Sequence, residues 1–344
     1  MFLARMARWV LLLIALAWCL LLLAGVLLHG AILPHIDEWR PTLEKQASQR
    51  LGIQVRIGSI AVGSGSIIPA LELREVRLLD AQGREALRLP RVAAALSARS
   101  LLSGQLHFSQ LLIDGPQLEV RRNAQGQISV AGFLLDAPAR PDERSGAWSD
   151  WFFSQREFVI LNGQLRWIDE LRGGAEAQPL DLSALNLVVR NGLRQHSMRL
   201  DATPPPAWGQ RFALRGSFSQ KLLKRPGELQ FWSGQLYADL PRADLRELRR
   251  HVDLPFELSE GDGALRAWID VTNGQAQGAT VDMGLRSVRL RLQPKAEELQ
   301  LERIEGRLQL LRDAQQQSLQ ARQLGVVSVG ADGPGVVWPR SVWG

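Results

Sequence analysis

One cysteine, one tyrosine, four methionines and five histidines are the chain's whole supply of four versatile side chains, out of 344 residues. The cysteine, Cys19, lies inside an apolar run, so there is no disulfide framework and no cysteine-based metal finger. His29, His35, His107, His196 and His251 are scattered, without the spacing of a metal-binding helix, and are expected at the surface or at strand ends. No G-x-S-x-G elbow, Walker A sequence or S-x-x-K set occurs. Gly63-Ser64-Gly65-Ser66 lacks a following Gly-Lys-Ser/Thr and reads as a hairpin loop, not a phosphate cradle. The carboxylate pairs Asp169/Glu170, Asp239/Asp244 and Glu297/Glu298 read as solvated strand faces or loops. No catalytic residue, cofactor or metal is expected, and the chain is not read as an enzyme. Basic charge is not concentrated either. The net charge is +6 and the pI about 10.3, but arginines alternate with Glu, Asp and Gln. The densest group, Arg246, Arg249 and Arg250, contains Glu247 and is placed on a short helix. Nucleic acid is therefore not an expected partner, whereas diffuse basic charge suits anionic lipid head groups.

What the chain does have is one long apolar run, Trp9 to Leu28 (WVLLLIALAWCLLLLAGVLL), free of charge. A hydrocarbon core of ~30 Å needs ~20 residues at ~1.5 Å rise, so this run is long enough to span a membrane. The apolar core of a cleaved signal peptide is usually shorter, ~7–15 residues, and no clean Ala-x-Ala site follows. Residues 1–30 are thus read as a signal anchor, with Trp9, Leu12, Leu16, Leu20, Leu23 and Leu27 in the membrane. Arg5 and Arg8 precede the run, while Asp37 and Glu38 follow it, which keeps the N-terminus cytoplasmic and exports the remainder. A bacterial periplasm fits that topology, with the inner membrane of a Gram-negative cell as the anchoring bilayer.

Residues 31–52 hold a juxtamembrane helix. Trp39, Leu43, Ala47 and Leu51 recur every four residues, Pro41 falls in the first turn and Gly52 at the C-terminal cap. From Ile53 the period becomes two, the signature of strands with one apolar and one polar face. The alternation slips phase at intervals, as between Leu71/Leu73 and Val76/Leu78 or between Leu180/Leu182 and Leu185/Leu187/Val189, where a bulge or turn is expected. Residues 53–135 form a first β region, 136–150 a proline-rich charged linker, and 151–344 a second β region. Pro241 to Val252 is read as a helix, with Leu245 and Leu248 on one side. Trp167, Trp232 and Trp268 sit in alternating strands as core or lining.

Many amphipathic strands with few helices can fold sheet on sheet, close into a barrel, or curl into a trough filled by something else. The fold class expected here is mainly β: the N-terminal transmembrane helix and short helix, then a curled antiparallel sheet forming an elongated apolar groove. Candidate lining residues are Leu71, Leu73, Phe108, Leu187, Val189, Leu214, Ile269, Val271, Leu290 and Leu301.

Particular stretches also resemble a known family. The anchor, the helix ending in Leu51-Gly52, the strand Ile53-Gln54-Val55, the segment Leu111 to Leu118 and Asn123-Ala124-Gln125-Gly126 are similar to the start of AsmA-like proteins. The stretch Phe158 to Glu170 resembles the YhdP branch of that family, which is related to TamB. So do Leu185-Asn186-Leu187 with His196, Ala202 to Pro205, Ser233 to Ala238 with Asp244-Leu245, and Gly263 to Trp268. The resemblance implies a periplasmic repeating β-groove that carries membrane phospholipids from the inner membrane towards the outer membrane and supports its permeability barrier. It offers no catalytic residues. YhdP-like proteins are far longer, so the chain is expected to be the N-terminal portion of a longer protein, its second β region truncated. Two other function classes compete. One is a tethered scaffold or assembly factor that pairs a sheet edge with an outer- or inner-membrane protein. The other is a periplasmic glycan hydrolase, which needs a paired-carboxylate cleft.

Overall fold

The computed structural model describes residues 38, 40–51, 54–63, 70–79, 83, 85–96, 108–130, 133–134, 150, 152–173, 178–222, 224–249, 257–291, 297–312 and 317–328. The apolar run read as an anchor, its flanking Arg5 and Arg8, the stretch read as a linker but for Asp150, and residues 329–344 lie outside them.

Helix α1 (Arg40–Leu51) leads into β1 (Gln54–Arg56) and β2 (Ser59–Gly63), which both pair antiparallel with β3 (Ala70–Leu79) as two parts of one edge strand. Next come β4 (Glu85–Leu96), then β5 (Phe108–Asp114) and β6 (Gln117–Arg122), laid end to end through Gly115-Pro116. A flap of β7 (Ile128–Val130) and β8 (Phe133–Leu134) hangs from β6. β9 (Glu157–Asp169) starts an up-and-down meander through β10 (Leu180–Asn191), β11 (Gln195–Thr203), β12 (Phe212–Gln220), β13 (Trp232–Asp244), β14 (Glu257–Thr272), β15 (Gln275–Arg291), β16 (Leu299–Arg312) and β17 (Gln317–Ser328). Two short helices, α2 (Glu170–Gly173) and α3 (Leu245–Arg249), follow β9 and β13.

All 17 strands belong to one sheet. The expected purely antiparallel order needs one correction: β9 lies parallel to β5 and β6, with Ile113 opposite Ile160 and Leu118 opposite Leu165. A parallel neighbour requires a crossover of a dozen residues or more, and the stretch after β6 is long enough to supply it. The two β regions thereby share one sheet. With β1/β2 and β5/β6 counted as single positions and the flap set aside, the strands occupy thirteen places, about 58 Å at ~4.8 Å each. A second correction concerns the helix read over Pro241 to Val252. Strand β13 runs on to Asp244, with Ala243 paired to Gly263, and the described helix is only Leu245–Arg249.

The phase slips are bulges. Glu75, Asn162, Ala184, Ser287 and Gln323 take positive φ within their strands, and β13 gains an extra residue between Leu240 and Ala243. Followed through the pairings, all of these fall on one side of the sheet's midline, towards the end where β9 stops and β10 starts (here the upper side). A bulge bends its strand and sharpens the twist, so a row of them creases the ribbon lengthwise. Residues on both sides of that crease meet the same helix on the apolar face. Leu265 and Met283 below it, and Val288 and Leu290 above it, pack in one buried cluster with Leu245 and Leu248 of α3. At this place the apolar face is the covered one. At the other end of the ribbon, Leu43 and Ala47 of α1 cover Val55, Ile57, Ile60 and Val76. The register of α1 is held by Ser48 Oγ accepting from Val55 N–H at 2.9 Å and Glu44 from Ile57 N–H at 2.7 Å.

Candidate functional site: an apolar lane across the strands

Residues directly opposite in neighbouring strands share a face, so the register can be followed across the ribbon. One row reads Ile60, Leu73, Val92, Ile113, Ile160, Leu187, Leu200, Leu214, Ala238, Ala267, Val281, Leu308 and Ala321. A second row beside it reads Leu71, Ala94, Leu111, Phe158, Val189, Met198, Gly216, Leu236, Ile269, Ala279 and Leu310. No charged or hydrogen-bonding side chain interrupts either row. Together they make a strip of hydrocarbon that crosses every strand position of the ribbon.

The covering of this strip changes along its length. Near α1 it packs on a buried cluster, with Ile60 and Val92 5–7% exposed and Leu71, Leu73, Leu111 and Ile113 half-buried against them. Around β9 to β11 it is capped by Phe152 and Phe153. From β12 onward the row residues Leu214, Ala238, Ala267, Ile269, Val281 and Leu308 are half-buried, and Leu310 is 43% exposed. Among the described residues no second layer lies over them apart from α3 at the upper edge.

Among the expected lining residues, Leu73, Leu187 and Leu214 fall in the first row and Leu71, Val189 and Ile269 in the second. Val271 is one step further down the same face, opposite Gly234. Leu290 and Leu301 belong to the cluster under α3. Phe108 pairs with Leu96 through its backbone, and its side chain lies outside the described residues.

The opposite face carries an apolar row of Ala93, Leu112, Val159 and Val188 across β4 to β10, and from β11 onward it is polar and zipped by ion pairs along the rungs. Asp239, Arg266, Asp282 and Arg307 stand opposite one another in successive strands, with Arg266 to Asp239 at 3.4 Å and Arg307 to Asp282 at 2.5 Å. The Arg307 guanidinium holds the Asp282 carboxyl below its ordinary range, and Arg74 with Arg91 does the same for Glu72. Exposed pairs contribute only ~0–1 kcal/mol each, so their main effect is to fix which face meets water. Trp268 belongs here, not in the core or lining. It lies 5.3 Å from the Tyr237 ring with Arg307 above it, because its neighbours Ala267 and Ile269 take the apolar side.

An aromatic plug lies beside the lane, at the lower ends of β11 to β13. His196 stacks on Trp232 at 4.1 Å, Phe153 meets Trp232 edge-on at 4.9 Å, and Phe152 packs on Phe158 at 4.7 Å. His196 is at a strand end, as expected, but only 2% exposed, and burial pushes its pKa down. Its Nδ1 is 2.9 Å from Asn191 Oδ1. The Phe152-Phe153 pair was missed because it lies in no alternating segment; the doublet beside a buried-strand start is the signal that could have found it.

The carboxylates read as solvated pairs are engaged within the sheet and its short helices. Asp169 is not solvated but 4% exposed, bound by both arms of Arg122 and 3.8 Å from Arg172. Glu170 accepts from Arg121 at 2.6 Å. Asp239 pairs with Arg266, and Asp244 caps α3 through the Arg246 N–H at 2.9 Å. Glu298 accepts from Ser259 at 2.8 Å. Among the described residues, no group of three or more His, Cys, Asp or Glu is placed to hold a metal ion, and no helix is long and apolar enough to cross a membrane.

A sequence model of one family, described as YhdP protein, matches residues 1–336. The chain belongs to the YhdP family. No curated protein matches it. In this YhdP-family chain the conspicuous shared feature of the strands is thus a directionless apolar strip, and the polar groups around it serve the sheet itself.

Proposed function

We propose that the chain is a membrane-anchored, periplasmic lipid-transfer protein of the cell envelope, carrying phospholipids along the apolar lane towards the outer membrane. The observation that carries this reading is the pair of uninterrupted apolar rows, packed under α1 at one end and, among the described residues, covered only by α3 at the upper edge from β12 onward. Acyl chains would be held there by burial of apolar surface at ~25 cal/mol per Å², which is non-directional and permits sliding. Hydrogen bonds would fix cargo in place, and the lane offers none. Family membership supports the same reading. Full-length chain in detergent, stripped of lipid and then exposed to phospholipid vesicles, is expected to return with bound phospholipid in native mass spectrometry. Recovery with none would overturn the proposal. One observation favours a second reading, assembly with another envelope protein: β17 is paired on only one side among the described residues, which leaves a 12-residue edge open to strand addition. Capture of a β-rich client without lipid would favour it.

A further inference from the structure

Among the described residues, three leucines with large exposed area lie along the lower rim of β10 to β13. Leu193 is 91% exposed, Leu222 65% and Leu229 47%. Leu193 and Arg194 form the turn from β10 to β11, while Lys221, Leu222 and Lys224 begin the connection from β12 to β13. The two segments are bound side by side, since Gln220 N–H donates to the Arg194 carbonyl at 2.9 Å. Lys221 and Lys224 are two of the four lysines in the chain, and both are exposed. Lys224 sits 4.0 Å above the Phe231 ring, which orients it at the same rim. The acids nearby are spent on one arginine: Asp150 and Glu228 both pair with Arg225, at 3.3 and 3.6 Å.

A leucine at a turn tip gains nothing in water, and it is normally accompanied by polar residues that keep the turn solvated. Here the accompanying residues are cations. Apolar tips that enter the acyl boundary, with lysines at the height of phosphates, are the pattern of a peripheral membrane contact. A protein groove would accept the leucines but would not call for three neighbouring cations with the local acids already neutralised.

We infer that this rim docks on the surface of a bilayer containing anionic phospholipids. The contact is separate in sequence from the apolar run Trp9–Leu28, and it brings the aromatic plug beside the lane, at Phe153 and Trp232, towards the head-group layer. This goes beyond carriage along the lane, and either can hold without the other.

The test uses the full-length chain with Cys19→Ser and Leu193→Cys, carrying a polarity-sensitive fluorophore at position 193 and reconstituted into vesicles. In phosphatidylcholine with phosphatidylglycerol, the emission shifts to the blue and nitroxide-bearing lipids quench it by about twofold or more. In phosphatidylcholine alone it stays water-like, and Lys221→Glu with Lys224→Glu abolishes the response in the anionic vesicles. A label at Gln235, on the polar face, stays water-like in both and shows that the shift is local. A water-like signal from position 193 in both vesicles overturns the inference. So does an equal shift in both, or relief of the shift by soluble glycerol phosphate, which would mark a phosphate site in place of a lipid surface. Lipid uptake by the lane is read separately by mass spectrometry, so failure of one leaves the other measurable.

Discussion

Leu285 and Leu310 lie on neighbouring strands and on the same apolar face, yet replacing each by alanine should cost different amounts. Leu285 is 6% exposed, packed under α3 against Leu245 and opposite Ile304. Truncating it loses the transfer energy of the side chain and leaves a cavity that the sheet cannot collapse, together about 3–4 kcal/mol. Leu310 is 43% exposed in the half-open part of the lane. Little more than half of its burial is there to lose, and an open face leaves no cavity, so the cost is about 1 kcal/mol. Full-length protein in nanodiscs, unfolded by urea and followed by tryptophan fluorescence, measures both as shifts of midpoint at unchanged slope. Equal costs would refute the reasoning, because they would mean that a second protein layer covers Leu310 as α3 covers Leu285. Saturating phospholipid should bring the two costs closer together by giving Leu310 the contacts it lacks.

Other expectations follow from the charged and titrating groups. Asp169→Ala removes the buried carboxylate that both arms of the half-buried Arg122 hold and should cost about 2 kcal/mol, whereas Asp181→Ala, which breaks an exposed pair with Arg166, should cost less than about 1 kcal/mol in the same urea assay. His196 has its pKa lowered from 6.5 by burial, so as pH falls below about 6.5 the unfolded chain takes up a proton that the native plug refuses. Stability should therefore fall from pH 6.5 downward until the native pKa is reached, and His196→Phe should flatten that slope; an unchanged slope would contradict the burial argument. Glu72 and Asp282, also lowered, add stability that is complete above their ordinary values of 4.5 and 3.8 and is lost further into acid, a second and separate decline.

Much of this architecture was legible in the order of residues. The slip between Leu182 and Leu185 marks a bulge because an extra residue must be absorbed if both leucines are to stay on the apolar side, and Ala184 absorbs it with positive φ. The hairpin at Asn273-Gly274 is the turn that two consecutive positive φ values demand. Parity should have placed Trp268 correctly, since it stands beside Ile269 and must face the other way. Other features leave no such trace. Alternation fixes faces but not neighbours, so nothing in Leu111 to Leu118 shows that β9 would lie alongside it in parallel. Around Pro241 two signals overlap: Leu245 and Leu248 have true helical spacing, but Arg242 and Ala243 continue a strand, and pairing with Gly263 decides the boundary. Asp169 looked like one more surface acid because its partner Arg122 lies 47 residues away.

The central claim is that lipid chains occupy the face bearing Ile269 and Leu310 and not the face bearing Asp270 and Gln309. A photoreactive amino acid at each of these four positions in the full-length chain, irradiated in intact cells, decides it. Phospholipid adducts from Ile269 and Leu310 with none from Asp270 and Gln309 are the predicted result. Protein adducts alone from the apolar pair, or lipid adducts from both faces alike, would contradict the account.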